Sequence, residues 1–170
     1  STLANAISLG HIEPLARTFD VLRIPVVVSN IRFSMTSAGD DAIAALYAID
    51  GGTNKPLRRT HVQTFGGVKV GFVGIMGVDA ALVAPFKSPL NFSLPSDPNA
   101  ACSGDQDCPG SICLPPSANP LATSGHCATD ATGADFVGAM RTVVADVAAA
   151  AAALRAQNVD LVVALSHAGV

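Results

Sequence analysis

Aromatic residues are scarce in this chain, and tryptophan is absent. Phenylalanine and tyrosine make up 5% of the 170 residues. Proteins that hold single-stranded nucleic acid stack the bases on aromatic side chains, so this composition offers no such platform. Basic residues are also few, with 10 lysines and arginines against 13 acidic residues and a formal net charge of −3. Because no basic cluster is present, the sequence predicts no nucleic-acid polymer as a partner.

Long uninterrupted apolar runs are absent as well. A transmembrane helix needs about 18 or more consecutive apolar residues, and the longest candidate, Val143–Leu154, is interrupted by Asp146. The sequence therefore predicts no transmembrane segment. The first residues lack the charged and apolar regions of a signal peptide, and no initiator methionine is present. We expect the sequence to be a segment of a longer protein.

The remaining composition is that of a globular protein, with 49% apolar and 14% charged residues. The length is sufficient for one domain with its own core. Apolar residues recur at helical spacing over 12–22, which predicts a helix. The continuous apolar run Ile24–Val28 predicts a strand in a sheet that is covered on both faces.

Two segments in the first half predict a β-hairpin. Arg59–Phe65 has β-type composition, Gly66 and Gly67 suit a tight turn, and Val68–Ile75 reads as the second strand. The preceding segment, Ala42–Ile49, fits either a strand or a short helix, and residues 50–54 predict a turn. The glycines of the second strand lack a dinucleotide-loop spacing, so we expect them either to let a neighbouring backbone come close or to bend the strand.

The second half predicts a helix followed by a strand. Phe136–Gln157 is rich in alanine, which has a high helix propensity, and Asn158 suits the end of this helix. Asp160–Leu165 reads as a strand that is buried on both faces and ends at 166–169. Helices that alternate with strands around a hairpin indicate an α/β fold with a mixed sheet.

All four cysteines lie in one segment that is rich in proline, serine and glycine, and we interpret 95–131 as a disulfide-rich insertion. Four cysteines allow three pairings, and the spacing leaves the pairing open. Disulfides would stabilise such a segment and indicate an oxidising, extracytoplasmic compartment: the periplasm, the cell surface or the exterior. The four residues are Cys102, Cys108, Cys113 and Cys127.

A zinc site is the alternative interpretation of this segment. Structural zinc sites usually contain Cys-x2–4-Cys pairs, and Cys108 and Cys113 come nearest to that spacing. His126 would then be a candidate ligand. Asp105 and Asp107 lack the spacing of a calcium-binding loop, so we interpret them as turn residues.

His167 is the histidine whose position most favours a functional role. It follows a predicted buried strand, and ligands of α/β proteins gather outside the carboxyl ends of strands. The small residues Ala168 and Gly169 leave room for a metal or a substrate. The alternative is a histidine that is hydrogen-bonded at a strand end. His61 is expected at an exposed strand position, and His11 at the surface or a helix start.

Three segments, in the right order, resemble the metallophosphoesterase domain of the 5'-nucleotidase family. Ile24–Ile31 resembles the family's "FPvlsANi" strand. Gly66–Ile75 is similar to its "gGvKVGiiGl" segment, and Val159–Gly169 is similar to "vDviIaLSHlG". The last segment is the most specific, and the combination is more specific than any one of them.

This resemblance implies that residues 1–170 form part of a four-layer α-β-β-α metallophosphoesterase sandwich with a Cys-rich insertion. It implies two divalent metal ions, such as zinc or manganese. It also implies hydrolysis of a nucleotide or a related small phosphate ester by a metal-activated water. The histidine of the family's Leu-Ser-His motif is a metal ligand, and this role carries over to His167. Catalytic and substrate-binding residues stay unassigned.

The chain also departs from the family pattern. The Asp-x-His, Gly-Asp and Gly-Asn-His-Glu motifs would precede it, and Gly-His-x-His would follow it. Asn5 is followed by Ala6 instead of histidine, and Gly10–Glu13 lacks the asparagine and lies too close to Pro25. Because a catalytic metal needs three or more protein ligands, we expect this segment alone to be inactive.

Two other classes of function stay open at this point. One is a degenerate, non-catalytic extracytoplasmic binding module of the same fold. The other is an exported α/β solute-binding domain, which would be stabilised by its ligand without any metal.

Overall fold

The structure, a computed structural model, describes residues 21, 24–49, 55–77, 90–116, 118–130, 132 and 134–167. Within these residues the chain is a mixed α/β protein with several small sheets. Its strands are β1 (Val26–Val27), β2 (Ile31–Arg32), β3 (Tyr47–Ala48), β4 (Leu57–Arg58), β5 (Thr60–Phe65), β6 (Val68–Met76), β7 (Asn91–Phe92), β8 (Ser96–Cys102), β9 (Cys113–Leu114), β10 (Gly125–Ala128) and β11 (Leu161–His167). Its α-helices are α1 (Asp41–Ala44) and α2 (Phe136–Arg155).

The first sheet is parallel and has the order β1-β4-β3. The predicted strand over Ile24–Val28 is present, but it is shorter, and its residues are half-buried instead of buried on both faces. The segment Ala42–Ile49 contains both elements that fitted its sequence, because α1 leads into β3. The core beside this sheet is formed by apolar residues from five segments: Ile31, Phe33, Ile43, Tyr47, Leu57 and Leu90.

The predicted hairpin is confirmed. β5 and β6 pair antiparallel, from Thr60 opposite Val73 to Phe65 opposite Val68. Gly66 and Gly67 connect them with φ angles of 55° and 90°, and glycine adopts such angles without steric cost. On its other edge β6 pairs in parallel with β11, so the sheet order is β11-β6-β5.

Helix α2 covers one face of this sheet, and its prediction is confirmed. The Asp135 side chain accepts a hydrogen bond of 2.8 Å from the backbone N–H of Gly138, which caps the helix. Ala150 and Leu154 are fully buried against Val73 of β6. Asn158 has a φ of 56°, the left-handed conformation that asparagine adopts after a helix end.

The burial predicted for the last strand is wrong. Val162 packs toward α2, but Leu161 and Leu165 on the opposite face are 52% and 55% exposed. Successive strand residues alternate between faces, and α2 covers only one of them. Phe65 and Val68 are also exposed on the face of Leu161 and Leu165. This apolar face of the β11-β6-β5 sheet is called the open face below.

The cysteine-rich segment forms a third sheet, β8-β10-β9, which is antiparallel. It is held by two disulfides, Cys102–Cys113 and Cys108–Cys127. Its own apolar cluster is small and centres on Leu94, Leu114 and Ala128. Disulfides are therefore the state of these cysteines in the structure, and the pairing that the sequence left open is resolved.

Helix α2 is long and apolar enough to cross a membrane by length and composition, with a mean hydropathy of 1.5. This is weak evidence for a membrane span, because core helices of soluble proteins meet the same criterion. Asp146 lies within the helix and forms a buried ion pair with Arg32. The predicted helix over 12–22 and the turn over 50–54 lie outside the described residues, apart from Val21.

Candidate functional site

The carboxyl ends of β1, β6 and β11 meet at one edge of the fold. The backbone N–H of Ser29, just after β1, donates a 2.7 Å hydrogen bond to the carbonyl of Gly74 in β6. At the end of the next strand, His167 pairs with Met76, and the N–H of Gly77 donates to the His167 carbonyl at 2.9 Å. The three segments that carry the family resemblance therefore lie side by side.

Gly74 allows β1 to approach β6 this closely. A Cβ atom at position 74 would overlap the carbonyl oxygen of Val27. A side chain at Gly71 would instead meet the end of the Leu154 side chain, 2.9 Å away. The expectation that the glycines of this strand admit a neighbouring backbone is thus confirmed at Gly74.

The side chain of Asn30 ties the end of β1 to the end of β6. Its Oδ1 accepts from the backbone N–H of Met76 at 3.0 Å, and its Nδ2 donates to the carbonyl of Met76 at 2.9 Å. One amide side chain thus replaces a pair of strand hydrogen bonds. Asn30 is 1% exposed, so this contact is shielded from water.

A buried polar network continues from Asn30 to helix α2. Asn30 Nδ2 also donates to Ser93 Oγ at 2.8 Å, and Ser93 Oγ donates to Asp146 Oδ2 at 3.0 Å. Arg32 Nη2 donates to both carboxylate oxygens of Asp146, at 3.1 and 3.3 Å. Since buried polar groups are costly unless they are paired, this network fixes the position of α2 relative to β1 and β2.

A second buried arginine, Arg59, lies next to this network. It follows β4 directly; its backbone N–H donates to the Ala48 carbonyl at 2.8 Å, and its own carbonyl accepts from Ser29 Oγ at 2.5 Å. Its side chain is shielded, and burial lowers the pKa of Arg59. Burial also raises the pKa of neighbouring Tyr47, whose hydroxyl donates to the Val28 carbonyl at 2.7 Å. Tyr47 is therefore neutral at pH 7.

His167 lies beside a cleft at the shared strand edge. The cleft has a volume of about 210 Å³ and is lined by backbone and side chains of β1, β6 and β11, including Val27, Met76, Leu165 and His167. His167 is the last residue of β11 and is exposed, whereas the sequence predicted a position just beyond the strand. The imidazole is thus accessible to a ligand from solvent.

The described residues do not complete a metal site around His167. The one group of three or more close metal-ligating side chains in the described part of the chain is Cys102, Cys108 and Cys127, whose sulfurs lie within 4.8 Å of one another. These sulfurs belong to the two disulfides, and a disulfide sulfur lacks the thiolate that binds zinc. Within the described part of the chain, His167 therefore belongs to no group of three or more metal-ligating side chains.

The other histidines of the described residues occupy different places. His61 is half-buried in β5 instead of exposed, its Nδ1 lies 3.0 Å from Arg58 Nη1, and it stacks on Phe72. Burial and the neighbouring Arg58 charge lower the pKa of His61. His126 lies in β10, beside a cavity of about 440 Å³ in the cysteine-rich segment. His11 lies outside the described residues.

Asp107 is an exposed residue of a short 3-10 turn, as the sequence predicted, whereas Asp105 in the same turn is half-buried and binds residues distant in the chain. Asp105 Oδ1 accepts from the backbone N–H of Cys113, and its Oδ2 accepts from Thr36 Oγ1, both at 2.8 Å. Asp107 Oδ2 accepts from the N–H of Ser103 at 2.7 Å. Asp105 thereby fastens the cysteine-rich segment to the residues that follow β2.

No protein-family model, no curated protein sequence and no solved structure matches this chain.

The sequence reasoning did not assign the buried polar residues. Asp146 was visible as a single acid in an apolar helical run, and a lone acid at such a position signals a buried partner. Asn30 stood at the end of a predicted strand. The burial of Arg32 and Arg59 left no such signal, because arginine is usually exposed and their neighbours come from distant parts of the chain.

Proposed function

We propose that this chain is part of an extracytoplasmic, metal-dependent phosphoesterase of the 5'-nucleotidase type. The observation that carries the proposal is that the three segments with the family resemblance end at one edge, where His167 borders a cleft. In this proposal His167 is a ligand of one of two divalent metals. The substrate is a nucleotide or a related small phosphate ester.

The proposal includes the four-layer sandwich. Helix α2 covers one face of the β11-β6-β5 sheet, and the open face carries exposed Leu161, Leu165, Phe65 and Val68. An apolar sheet face normally packs on another layer, and a second sheet would give the α-β-β-α order. The two disulfides are compatible with the extracytoplasmic location.

Bound metals would supply an activated water and would neutralise charge on the phosphoryl group. The chain's own contribution is to hold the strand edge in place. Asn30 ties Met76 to the end of β1, and Met76 is the register partner of His167. The remaining metal ligands would come from outside the described residues, so the proposal concerns the complete protein.

The second candidate is a degenerate binding module of the same fold. The observation that favours it is that His167 belongs to no group of three or more metal-ligating side chains among the described residues. In such a module the cleft would bind a ligand without hydrolysis, and the complete protein would contain no stoichiometric metal.

The test is the replacement His167→Ala in the complete protein, with His61→Ala as the matched control on a strand of the same sheet. Metal content is measured by elemental analysis, and turnover is measured with AMP and with p-nitrophenyl phosphate in the presence of Mn²⁺ or Zn²⁺. We expect His167→Ala to lower metal content and turnover together, and His61→Ala to retain both.

Unchanged turnover with full metal occupancy in His167→Ala would remove this residue from the site. A wild-type protein without bound metal and without turnover would favour the binding module.

A further inference from the structure

Arg59 presents an unused pair of hydrogen-bond donors in the interior of the protein. The residue is 5% exposed, and its Nε and Nη2 atoms have no hydrogen-bond partner among the described residues. These two N–H groups lie on the same edge of the guanidinium. That edge is the one with which arginine binds two oxygens of a carboxylate or a phosphate group.

Among the described residues, the charge of Arg59 is also not balanced by a carboxylate of its own. The negative charge of Asp146 interacts with Arg59 without a direct hydrogen bond among those described. Both carboxylate oxygens of Asp146 accept from Arg32, and Oδ2 also accepts from Ser93. Two guanidinium groups therefore share one carboxylate. Arg32 has an unpartnered donor of its own, the buried Nη1. Counted over the described residues, Arg32, Arg59 and Asp146 carry one excess positive charge and three unpartnered N–H donor atoms.

The position of Arg59 in the fold is suited to a ligand. It follows β4, the central strand of the parallel β1-β4-β3 sheet. Its backbone is bonded to Ser29 and Ala48 at the ends of the two neighbouring strands. Ligands of α/β proteins bind outside the carboxyl ends of parallel strands, and Arg59 lies at that end of all three.

An unpartnered buried guanidinium is unfavourable, because its N–H groups lose their bonds to water. A water molecule could accept one or two of these bonds, but it would leave the excess charge in place. An anion satisfies the donors and balances the charge together. A two-oxygen anion also matches the fork geometry, which a spherical ion does not.

We propose that Arg59 anchors an oxyanion-binding site, which takes a small anion with two oxygens on one edge, such as a carboxylate or a phosphate group. The charge of Arg32, whose Nη1 is also unpartnered among the described residues, adds to the attraction for an anion. Arg59 is not among the residues that line the cleft beside His167, and the anion site does not depend on the proposed phosphoesterase activity.

The first experiment measures thermal unfolding of the protein while formate, inorganic phosphate or chloride is added at constant ionic strength. A ligand that binds the native state raises the unfolding temperature in a saturable manner. We expect formate or phosphate to do so and chloride to have no comparable effect. Calorimetric titration should give one anion per chain. The oxyanion that binds more tightly shows whether the natural ligand offers a carboxylate or a phosphate group.

The second experiment tests whether the stabilisation by the anion depends on Nε and Nη2 of Arg59. Arg59→Met should abolish the anion response, whereas Arg58→Met should retain it, because Arg58 is half-buried and already donates to the Lys55 carbonyl at 2.7 Å. If Arg59→Met does not fold, Arg59→Lys keeps the charge without the fork. We expect Arg59→Lys to bind the oxyanion at least tenfold more weakly.

Absence of saturable stabilisation by either oxyanion in the wild-type protein would overturn the proposal. An equal response in the Arg58 and Arg59 variants would overturn it as well. Since His167→Ala should leave the anion response unchanged, a failed phosphoesterase proposal and a failed anion site give different results.

Discussion

Asn30 shows how one side chain sets the position of a strand end. It occupies both the N–H and the carbonyl of Met76 and also donates to Ser93. Each of these groups is wholly or partly shielded from water. Removing the amide would therefore leave several polar groups without a hydrogen-bond partner. The free-energy cost of leaving them unpaired exceeds the net stabilisation that the hydrogen bonds themselves provide.

We predict that Asn30→Ala lowers the free energy of unfolding by about 2–4 kcal/mol. The reason is that the Met76 backbone groups and Ser93 Oγ each lose a partner. Urea denaturation measures the change. Asn99→Ala, at an exposed position in β8, is the matched control and should change stability by less than about 0.5 kcal/mol. Equal effects of the two substitutions would contradict the role of the Asn30 amide.

The polar residues of the interior mark the limit of what the sequence could predict. Asp146 was recognisable as an exception in an apolar run, but its partners Arg32 and Ser93 are 114 and 53 residues away in the chain. No local pattern joins such positions. The burial of Arg59 was even less predictable from the sequence. The adjacent Arg58 has nearly the same sequence neighbours, yet it is only half-buried.

Among the elements, the β5–β6 hairpin was predictable because its turn and both strands are encoded locally. Gly66 and Gly67 fit the positive φ angles of the turn, and the flanking residues have β propensity. The exposure of β11 was not predictable, because an apolar strand does not specify which neighbours cover it. The sequence of β11 is typical of a strand that is buried on both faces, but α2 packs on only one of these faces.

The contact between β1 and β6 leads to a second prediction. A Cβ at Gly74 would overlap the Val27 carbonyl, which is backbone and cannot rotate away. We expect Gly74→Ala to cost about 2–4 kcal/mol and to separate β1 from β6. Gly71→Ala is the matched control on the same strand. It meets the flexible end of Leu154 instead, so it should cost clearly less.

Chemical denaturation combined with amide hydrogen exchange would test this difference. The N–H of Ser29, which donates to the Gly74 carbonyl, should exchange faster in Gly74→Ala and remain protected in Gly71→Ala. Similar stability losses in both variants would show that the close backbone approach is not the cause.

The molecule as a whole combines parts that are stabilised in different ways. The β11-β6-β5 sheet depends on the packing of Val73 against Ala150 and Leu154. The cysteine-rich segment has a small apolar cluster and depends on two disulfides with sequence separations of 11 and 19 residues. A disulfide that closes a loop of this length stabilises the folded state by about 3 kcal/mol, mainly because it restricts the conformations of the unfolded chain.

We predict that reduction of the disulfides unfolds the cysteine-rich segment and leaves the β5–β6–α2 core folded. Hydrogen exchange measured by mass spectrometry, with and without a phosphine reductant, should show loss of protection in β8, β9 and β10. Protection in β6 should persist, because the apolar cluster that packs around Val73 of β6 contains no cysteine. The double variant Cys108→Ala/Cys127→Ala is a control for incomplete reduction.

Simultaneous loss of protection in β6 and β10 would contradict this prediction. It would mean that the two parts unfold as one cooperative unit, to which the Thr36–Asp105 hydrogen bond and the packing of Met35 on the cysteines could both contribute.

The cysteine-rich segment leaves the rest of the chain and returns to it at nearly the same point. Ser96 pairs with Ala128, and the N–H of Thr129 donates to the carbonyl of Pro95 at 2.9 Å. The strands between these residues pair only with one another among the described strands, and the segment touches the rest of the chain through Thr36 and Met35. A gene could therefore acquire, lose or exchange this segment without altering the register of any other strand, and an engineer could graft a foreign disulfide-stabilised peptide at the same two residues.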